Sequence, residues 1–258
     1  MPDGGCLKPL PWETRNLGIA SFAVNDAFLE RPDERLLKEC LAREADAHGS
    51  FFVQARFKTD TGISRVLEKN GFYFVEATVC PHSNLSKNGQ LRTFAIDPAS
   101  FLPARYALAD IERVSLDRND SARCDAVRQI AGESFSDDRF HADYNCEQSV
   151  ADRRFVYWVD DLMADPGVVF DVMLLKERPI AFMARKSEDL ILAGFARKYA
   201  GAGLGDFLWL SVLRQLKEAG LNQARTLISV RNILVLNLYA RLGFKFRDPC
   251  ATFHYWKR

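Results

Sequence analysis

Apolar and polar positions follow two rhythms along this chain. "IASFAVN" and "SFFVQARF" are short apolar runs that predict strands, and "YFVEATVC" is a third. Between them, "ERLLKECLAREADAH" puts Leu36, Leu37, Cys40 and Leu41 on one face and predicts a helix over Glu34 to His48. "TGISRVLEKNGF" places Ile63, Val66 and Leu67 at helical spacing, with Gly71 as the stop. Residues 84–106 mix turn formers with two prolines and read as a joint between two units. Beyond the joint, "SARCDAVRQIAGESF" predicts a helix capped by Ser121, and "FVYWVDDLM" a helix with Phe155, Trp158, Val159 and Leu162 on one face. "VVFDVMLLKERPIAFMARKSEDLILAGFA" gives three apolar runs broken by "KERP" and "KSED", an antiparallel meander. A helix ending near Gly220, a strand "RTLISV", a helix from Asn232 to Leu242 and closing strands "FKFRD" and "ATFHYWK" complete the pattern.

The expected class is α/β of the α+β type, with a mixed, mostly antiparallel sheet flanked by helices. A smaller α/β unit over residues 1–95 precedes a second unit over 106–258. An internal echo links them: "VQAR…VLEKNGFYFVEATV" and "ISVR…LYARLGFKFRDPCATF" both read strand, helix, Gly-Phe, strand. The echo is either the common ending of any α/β unit or the mark of a shortened duplicate of the same folding unit.

Composition narrows the function. Apolar residues make up 48% of the 258, enough for a sizeable core, and the formal net charge is +1. With no long Lys/Arg run, nucleic acid and acidic membrane surfaces are poor partners. "MPDGGCLKPLPWETRN" has no apolar core of signal-peptide length, so the expected location is the cytoplasm. Cys6, Cys40, Cys80, Cys124, Cys146 and Cys250 are scattered without a CxxC pair, which favours free thiols over a disulfide or zinc framework. No metal site is expected.

The candidate chemistry centres on "YAGAGLGDFLW". Gly201, Gly203 and Gly205 alternate between a strand and a helix starting near Asp206. Such a loop can turn backbone N–H groups inward beside the helix N-terminus, which suits a phosphate. The same spacing also serves a tight turn that binds nothing. Position 206 is Asp, so the dinucleotide pattern G-x-G-x-x-G is missing, and no G-x-x-x-x-G-K-S/T is present. "SVRNILVLNLYARLGF" follows the loop and the helix it opens.

These two motifs resemble the signatures of the GCN5-related N-acetyltransferases. The first, Q/R-x-x-G-x-G/A, is matched in register by Ala200-Gly201-Ala202-Gly203-Leu204-Gly205, with Ala200 in place of Gln or Arg. The second, N-x-x-A-x-x-L-Y-x-x-x-G-F, is matched by Asn232, Val235 (for Ala), Leu238, Tyr239, Gly243 and Phe244. The N-terminal "LKPLPWETRNLG", the segment "SFSDDRFHADY…RRFVYWVDDLM" and the end "ATFHYWKR" are similar to the dTDP-fucosamine acetyltransferase group, which carries a smaller α/β domain in front. The resemblance implies an acetyl-CoA-dependent transfer to a primary amine of a small molecule, such as a nucleotide-linked 4-amino-dideoxysugar. An amino acid, antibiotic or siderophore amine is the alternative acceptor, and a non-catalytic acyl-CoA sensor the alternative function. Homodimerisation stays open.

The resemblance also assigns roles. Tyr199 to Gly205 would grip the pyrophosphate. Phe195, Ala196 and Arg197 would lend backbone groups to pantetheine, with Trp209, Asn232 and Leu238 nearby. Tyr239 is the candidate proton donor, since a phenol is protonated at neutral pH; a core tyrosine is the plainer reading of its spacing. Arg139, His141 and Trp158 fall where related enzymes form the acceptor wall. Asp138, His141, Asp143 and Glu188 are general-base candidates by residue type alone, beside ordered water.

Overall fold

The computed structural model describes residues 5–59, 62–86 and 97–258. Its strands join in one sheet of 11, mixed and mostly antiparallel, with helices on its faces. The first half supplies β1 (Leu7–Pro9), α1 (Pro11–Leu17), β2 (Ala20–Val24), α2 (Asp26–Glu30), α3 (Glu34–His48), β3 (Phe51–Lys58), α4 (Ile63–Lys69) and β4 (Tyr73–Asn84). The second supplies β5 (Ile111–Ser115), α5 (Ser121–Ser134), α6 (Gln148–Ala164), β6 (Val169–Leu175), β7 (Arg178–Lys186) and β8 (Asp189–Phe195). It continues with α7 (Gly205–Glu218), β9 (Gln223–Arg225), β10 (Ile228–Ser229), α8 (Ile233–Arg241) and β11 (Lys245–Lys257).

Strand order is β1-β2-β3-β11-β4-β9-β8-β7-β6-β5, with β10 also on β4. The last strand therefore lies between β3 and β4. Outward from the β11–β4 contact the two directions match. On one side come β3, then β2 parallel to it, then β1 antiparallel to β2. On the other come β10 and β9, then β8 parallel to β9, then β7 antiparallel to β8. The echoed turns match as well. Gly71 and Gly243 both adopt positive φ, 83° and 76°. The Phe72 N–H donates to the Leu67 carbonyl at 3.1 Å, and the Phe244 N–H to the Tyr239 carbonyl at 3.0 Å. The final strand of each part of the chain thus pairs into the other: β4 with β9 and β10, and β11 with β3.

Among the described residues, four apolar clusters hold this together, the smallest made by Phe52, Phe140, Cys146 and Ala151. Of the others, one surrounds α7, one lies between α3, α4 and the first-half strands, and one packs α5 and α6 on β6–β8. The meander is made by hairpins, the first turning through Lys176 and Glu177, both left-handed.

Some local expectations need correction. Asp120, not Ser121, caps α5: its carboxylate accepts from the Arg123 N–H at 3.0 Å, and Ser121 is the first helical residue. "RTLISV" is split into β9 and β10. The two closing strands are one, bent where Asp248 takes φ 49° and the register on β4 shifts between Arg247 and Cys250. Cys6 and Cys40 are paired, their Cα atoms 6.4 Å apart, because β1 lies beside α3; Cys80, Cys124, Cys146 and Cys250 are free. In the stretch read as a joint, residues 87–96 lie outside the described residues, and beyond them Phe101, Leu102 and Tyr106 pack against the α7 cluster.

Candidate active site

The sheet opens between two strands of its second half. β8 and β9 are parallel and pair only at Asp189 and Arg225. Beyond that pair the chain after β9 turns to β4 instead, where Ile228 and Ser229 pair with Val79 and Thr78. β8 keeps its β7 partner but leaves its second edge facing a gap. Gly194 and Ser134 fix β8 here. A Cβ on Gly194 would meet Ser134 Oγ at 2.8 Å, and that hydroxyl donates to the Phe195 carbonyl at 2.8 Å. The gap is a cavity of about 730 Å³. Leu190 to Ala193 form one wall and Thr226 to Ser229 the other, with Asn232, Val235 and Tyr239 of the α8 region beside them.

The glycine loop sits at the start of α7. Gly201 and Gly203 take φ of 70° and 81°, which L side chains rarely adopt. No atom lies within 4 Å of a Cβ built on Gly201, so the loop leaves open space there. The Arg105 guanidinium holds the Ala202 carbonyl at 2.6 Å. Leu204 is the N-cap of α7 and makes no side-chain cap bond, so the first-turn N–H groups of Gly205, Asp206 and Phe207 lack a side-chain acceptor. Asp206 turns away from the loop into an ion pair with Arg241 of α8 at 2.9 Å. Gly205 lets α8 approach, since a Cβ there would touch Leu238 at 3.4 Å. These are the features of an anion cradle.

Tyr239 lines the cavity and is only 2% exposed. Burial pushes its phenol pKa well above the usual value, against the Trp209 indole and the Thr226 hydroxyl, which pull it down. It therefore holds its proton at neutral pH. Trp209 packs edge-on against Tyr239 and stacks on Phe195, with ring centroids 6.1 and 6.5 Å apart. Asn232 caps α8 by accepting from the Val235 N–H at 3.1 Å, and it also lines the cavity.

Of the other sequence-derived residues, Arg139 and Trp158 line the cavity, Trp158 with one face packed against the α5–α6 cluster. Tyr199, Ala200 and Arg197 belong to the turn leading into the glycine loop, and Ala196 precedes it. His141 is absent from the cavity wall; it is clamped between Asp138 and Asp152. Asp138 reaches the wall, whereas Asp143 is buried among Tyr73, His254 and Trp256, and Glu188 pairs with Ser187 and Arg225. No group of three or more His, Cys, Asp or Glu among the described residues could hold a metal. No helix among them is long and apolar enough to cross a membrane.

Trp12 of α1 lines the cavity. Sequence reasoning missed Arg56 of β3 and Glu76 and Thr78 of β4, which line it too. Their signal was present: Gln54 and Arg56, and Glu76 and Thr78, are polar at alternate positions of otherwise apolar strands, so they share a sheet face. Behind the wall, Glu13 of α1 accepts from Arg139 at 2.6 Å and from Arg154 at 2.9 and 3.1 Å. Burial would raise the Glu13 pKa, but the two guanidiniums outweigh it and hold the carboxyl below its ordinary range.

No family model matches the chain, and no curated protein is similar to it by sequence. Solved structures are similar in fold. A GCN5-related N-acetyltransferase from Sphaerobacter thermophilus matches with a TM-score of 0.62 at 14% identity, over 98% of this chain and 76% of that one. A functionally unknown conserved protein from Staphylococcus epidermidis matches with 0.58 at 9% identity, over 92% and 83%. A tandem protein of the same acetyltransferase fold, from the clavulanic acid biosynthesis pathway, matches with 0.57 at 13% identity, over 92% and 75%. The fold is that of the GCN5-related N-acetyltransferases.

Proposed function

We propose that this chain is an N-acetyltransferase that moves an acetyl group from acetyl-CoA to a primary amine of a small molecule. One observation carries the reading: the parting of β8 from β9 opens into a cavity that holds a protonated, buried tyrosine. Acetyl-CoA, when bound, supplies an acetyl group activated as a thioester. The N–H groups at the start of α7 and the open space at Gly201 suit its pyrophosphate. The free edge of β8 suits the amides of pantetheine, and one of its N–H groups can polarise the thioester carbonyl. Tyr239 gives its proton to the departing sulfur. Its raised pKa is matched in part, because burial beside Tyr239 also disfavours a thiolate.

The division into residues 1–95 and 106–258 then becomes a division of labour. We read the first unit as a half that does not grip CoA. In it Asp33 fills the N-terminus of α3 with its own carboxylate, accepting from Arg35 and Leu36 at 2.9 and 3.1 Å. Leu67 stands at the turn position that Tyr239 holds in the second half. β2 and β3 stay paired from Ala20–Phe51 to Ala23–Gln54, leaving no parting. The tandem protein of the clavulanic acid pathway is a parallel. The donor fits a cytoplasmic enzyme. The nucleotide-linked aminosugar implied by sequence resemblance is one acceptor of this kind.

The experiment is a calorimetric titration with acetyl-CoA, followed by thiol-release assays over amino sugars, amino acids and aminoglycosides. One acetyl-CoA per chain and amine-dependent thiol release are expected. Binding without release for any amine would leave a sensor and sink the enzyme reading.

A further inference from the structure

The cavity wall carries many charged groups, and most are already matched. Asp161 accepts from Trp12 and Arg15, Asp165 pairs with Lys186, and Asp138 pairs with His141. Arg154 is taken by Glu13. Glu76 is different. It is 5% exposed, and no arginine, lysine or histidine reaches it within salt-bridge distance among the described residues. Ser229 of β10, on one wall of the parting, lies near enough to lower its pKa.

Two guanidiniums line the same cavity as Glu76 without closing on it. Arg56 lies in the same cross-strand row, since Thr252 of β11 pairs with both Arg56 and Glu76. Two strand spacings, roughly 10 Å, therefore separate their backbones. One Arg56 nitrogen donates to Thr78 Oγ1 at 3.2 Å, which leaves further donors of its fork unused. Arg139 gives one nitrogen to Glu13, and its Nε is buried with no partner. A buried carboxylate and two part-used guanidiniums thus line one space. Arg56 is exposed, so water can meet its free donors, but an amine alone would leave the buried Nε of Arg139 unmatched and an anion alone would leave Glu76 unmatched. One small molecule that carries both charges satisfies all three.

We infer that the acceptor is an amino carboxylate, its carboxylate held by Arg56 and Arg139 and its ammonium by Glu76, which accepts the proton that frees the amine. The inference rests on the proposed acetyltransferase reading of the same cavity. The geometry fits the reaction: Glu76 stands two residues from Thr78, which pairs with Ser229 of β10, and all three line the cavity, so the amine it frees lies beside the parting where the thioester would enter. The balance is simple. The ammonium gives one proton to Glu76. The amine nitrogen bonds to the acetyl carbon, the C–S bond breaks, and Tyr239 protonates the sulfur. The nitrogen's second proton restores Tyr239 directly or through water, and Glu76 releases its proton to solvent. Net products are the N-acetyl compound, the free thiol and one proton. The surroundings of Glu76 suit a proton acceptor. Burial raises its pKa, the charge of Arg139 lowers it, Ser229 lowers it, Asp138 raises it and Arg56 lowers it, leaving it raised. Trp12, Phe155 and Trp158 add aromatic surface to the wall, which suits an apolar substituent on the acceptor.

The test compares the standard amino acids with their decarboxylated amines, their carboxamides and a nucleotide-linked aminosugar, with acetyl-CoA as donor. Amino acids with large apolar side chains should be acetylated, and loss of the carboxylate should cost about 10²-fold in kcat/KM. Arg56→Gln should raise KM for amino acids about 10-fold or more and leave KM for the decarboxylated amines unchanged. Glu76→Gln should lower kcat, and the loss should shrink at higher pH, where the free amine is already present. Equal or better turnover of the decarboxylated amines or the aminosugar overturns the inference while leaving the acetyltransferase reading intact. So does an Arg56→Gln enzyme with an unchanged preference. If no amine is acetylated, titration of the same amino acids into CoA-loaded protein decides: no binding overturns the inference, and failure of acetyl-CoA itself to bind overturns the reading beneath it.

Discussion

Replacing Glu13 with Gln should destabilise the protein strongly although Glu13 makes no chemistry. Its side chain is 5% exposed and that of Arg154 is 6% exposed, and the pair is joined by two hydrogen bonds of 2.9 and 3.1 Å. Arg139 adds a third at 2.6 Å, but that side chain is 25% exposed and partly screened. Gln preserves the shape, removes the charge and can turn an NH₂ toward a guanidinium. Arg154 keeps only Asp138, at 3.8 Å, and its seat over the Phe140 and Trp12 rings. Breaking a buried pair on one side typically costs about 3–5 kcal/mol. The expected loss at pH 7 is therefore about 3 kcal/mol or more, a drop of about 10 °C in Tm for a chain of this size. The pH dependence has a definite sign. The folded pKa of Glu13 is depressed, so its contribution is present above the unfolded value and is lost as pH falls through the folded one. The gap between wild type and variant should narrow on acidification. Urea unfolding at pH 7 and at successively lower pH measures both effects. Adding Arg154→Met to the Gln variant should recover part of the loss, since it removes the stranded charge. A loss under about 1 kcal/mol at pH 7, or one that does not vary with pH, would refute the reasoning.

Tyr239→Phe should lower kcat by about 10²-fold or more with little change in acetyl-CoA affinity; near-normal turnover in a folded variant would make the hydroxyl structural only. Gly201→Ala meets no protein atom, so its stability cost should be only about 1 kcal/mol of backbone strain, while acetyl-CoA binding should weaken about 10-fold as the methyl fills the cradle. Unchanged affinity by calorimetry would remove the loop from the donor site. Burial raises the folded pKa of Glu76, with Asp138 adding to it and Arg139 and Arg56 opposing it, so its contribution to stability is full at acid pH and falls as pH rises through that pKa. Glu76→Gln should therefore melt higher than wild type at neutral pH and converge with it in acid; a lower Tm at every pH would contradict the assignment.

What could be read from the chain was local. The alternating glycines, the Asn232 cap and the position of Tyr239 on its helix are set by neighbours a few residues away, and short-range spacing encodes them. The same holds for the meander and for α3 and α4. Asp120 was displaced by one residue because Ser and Asp are both good caps and only the backbone geometry separates them. Glu76, Arg56 and Arg139 lie far apart in sequence, and a shared sheet face plus the segment that covers it bring them together. Their alternation marked a polar face, but nothing short-range said what that face would meet. His141 shows the converse: a histidine near the acceptor wall in sequence that the fold turns away into two carboxylates. The bend in β11 was read as a break, since a left-handed Asp248 before Pro249 looks like a turn when the two flanking strands are not yet aligned.

The crossed pairing of the final strands has a consequence for how the chain is made. On a ribosome β3 and β4 emerge early, with Phe51, Phe52, Val53 and Ala55 ready for burial, yet the strand that belongs between them is translated after every other described strand. For most of synthesis two long, apolar edges wait side by side without their hydrogen-bond partner. Such edges invite pairing with other nascent chains. A helper that shields them, or a slow tempo while the second half is translated, would decide how much of the product is usable. A premature stop just before Lys245 would leave β3 and β4 without the strand between them, so quality control would see an open sheet and not a merely shortened chain.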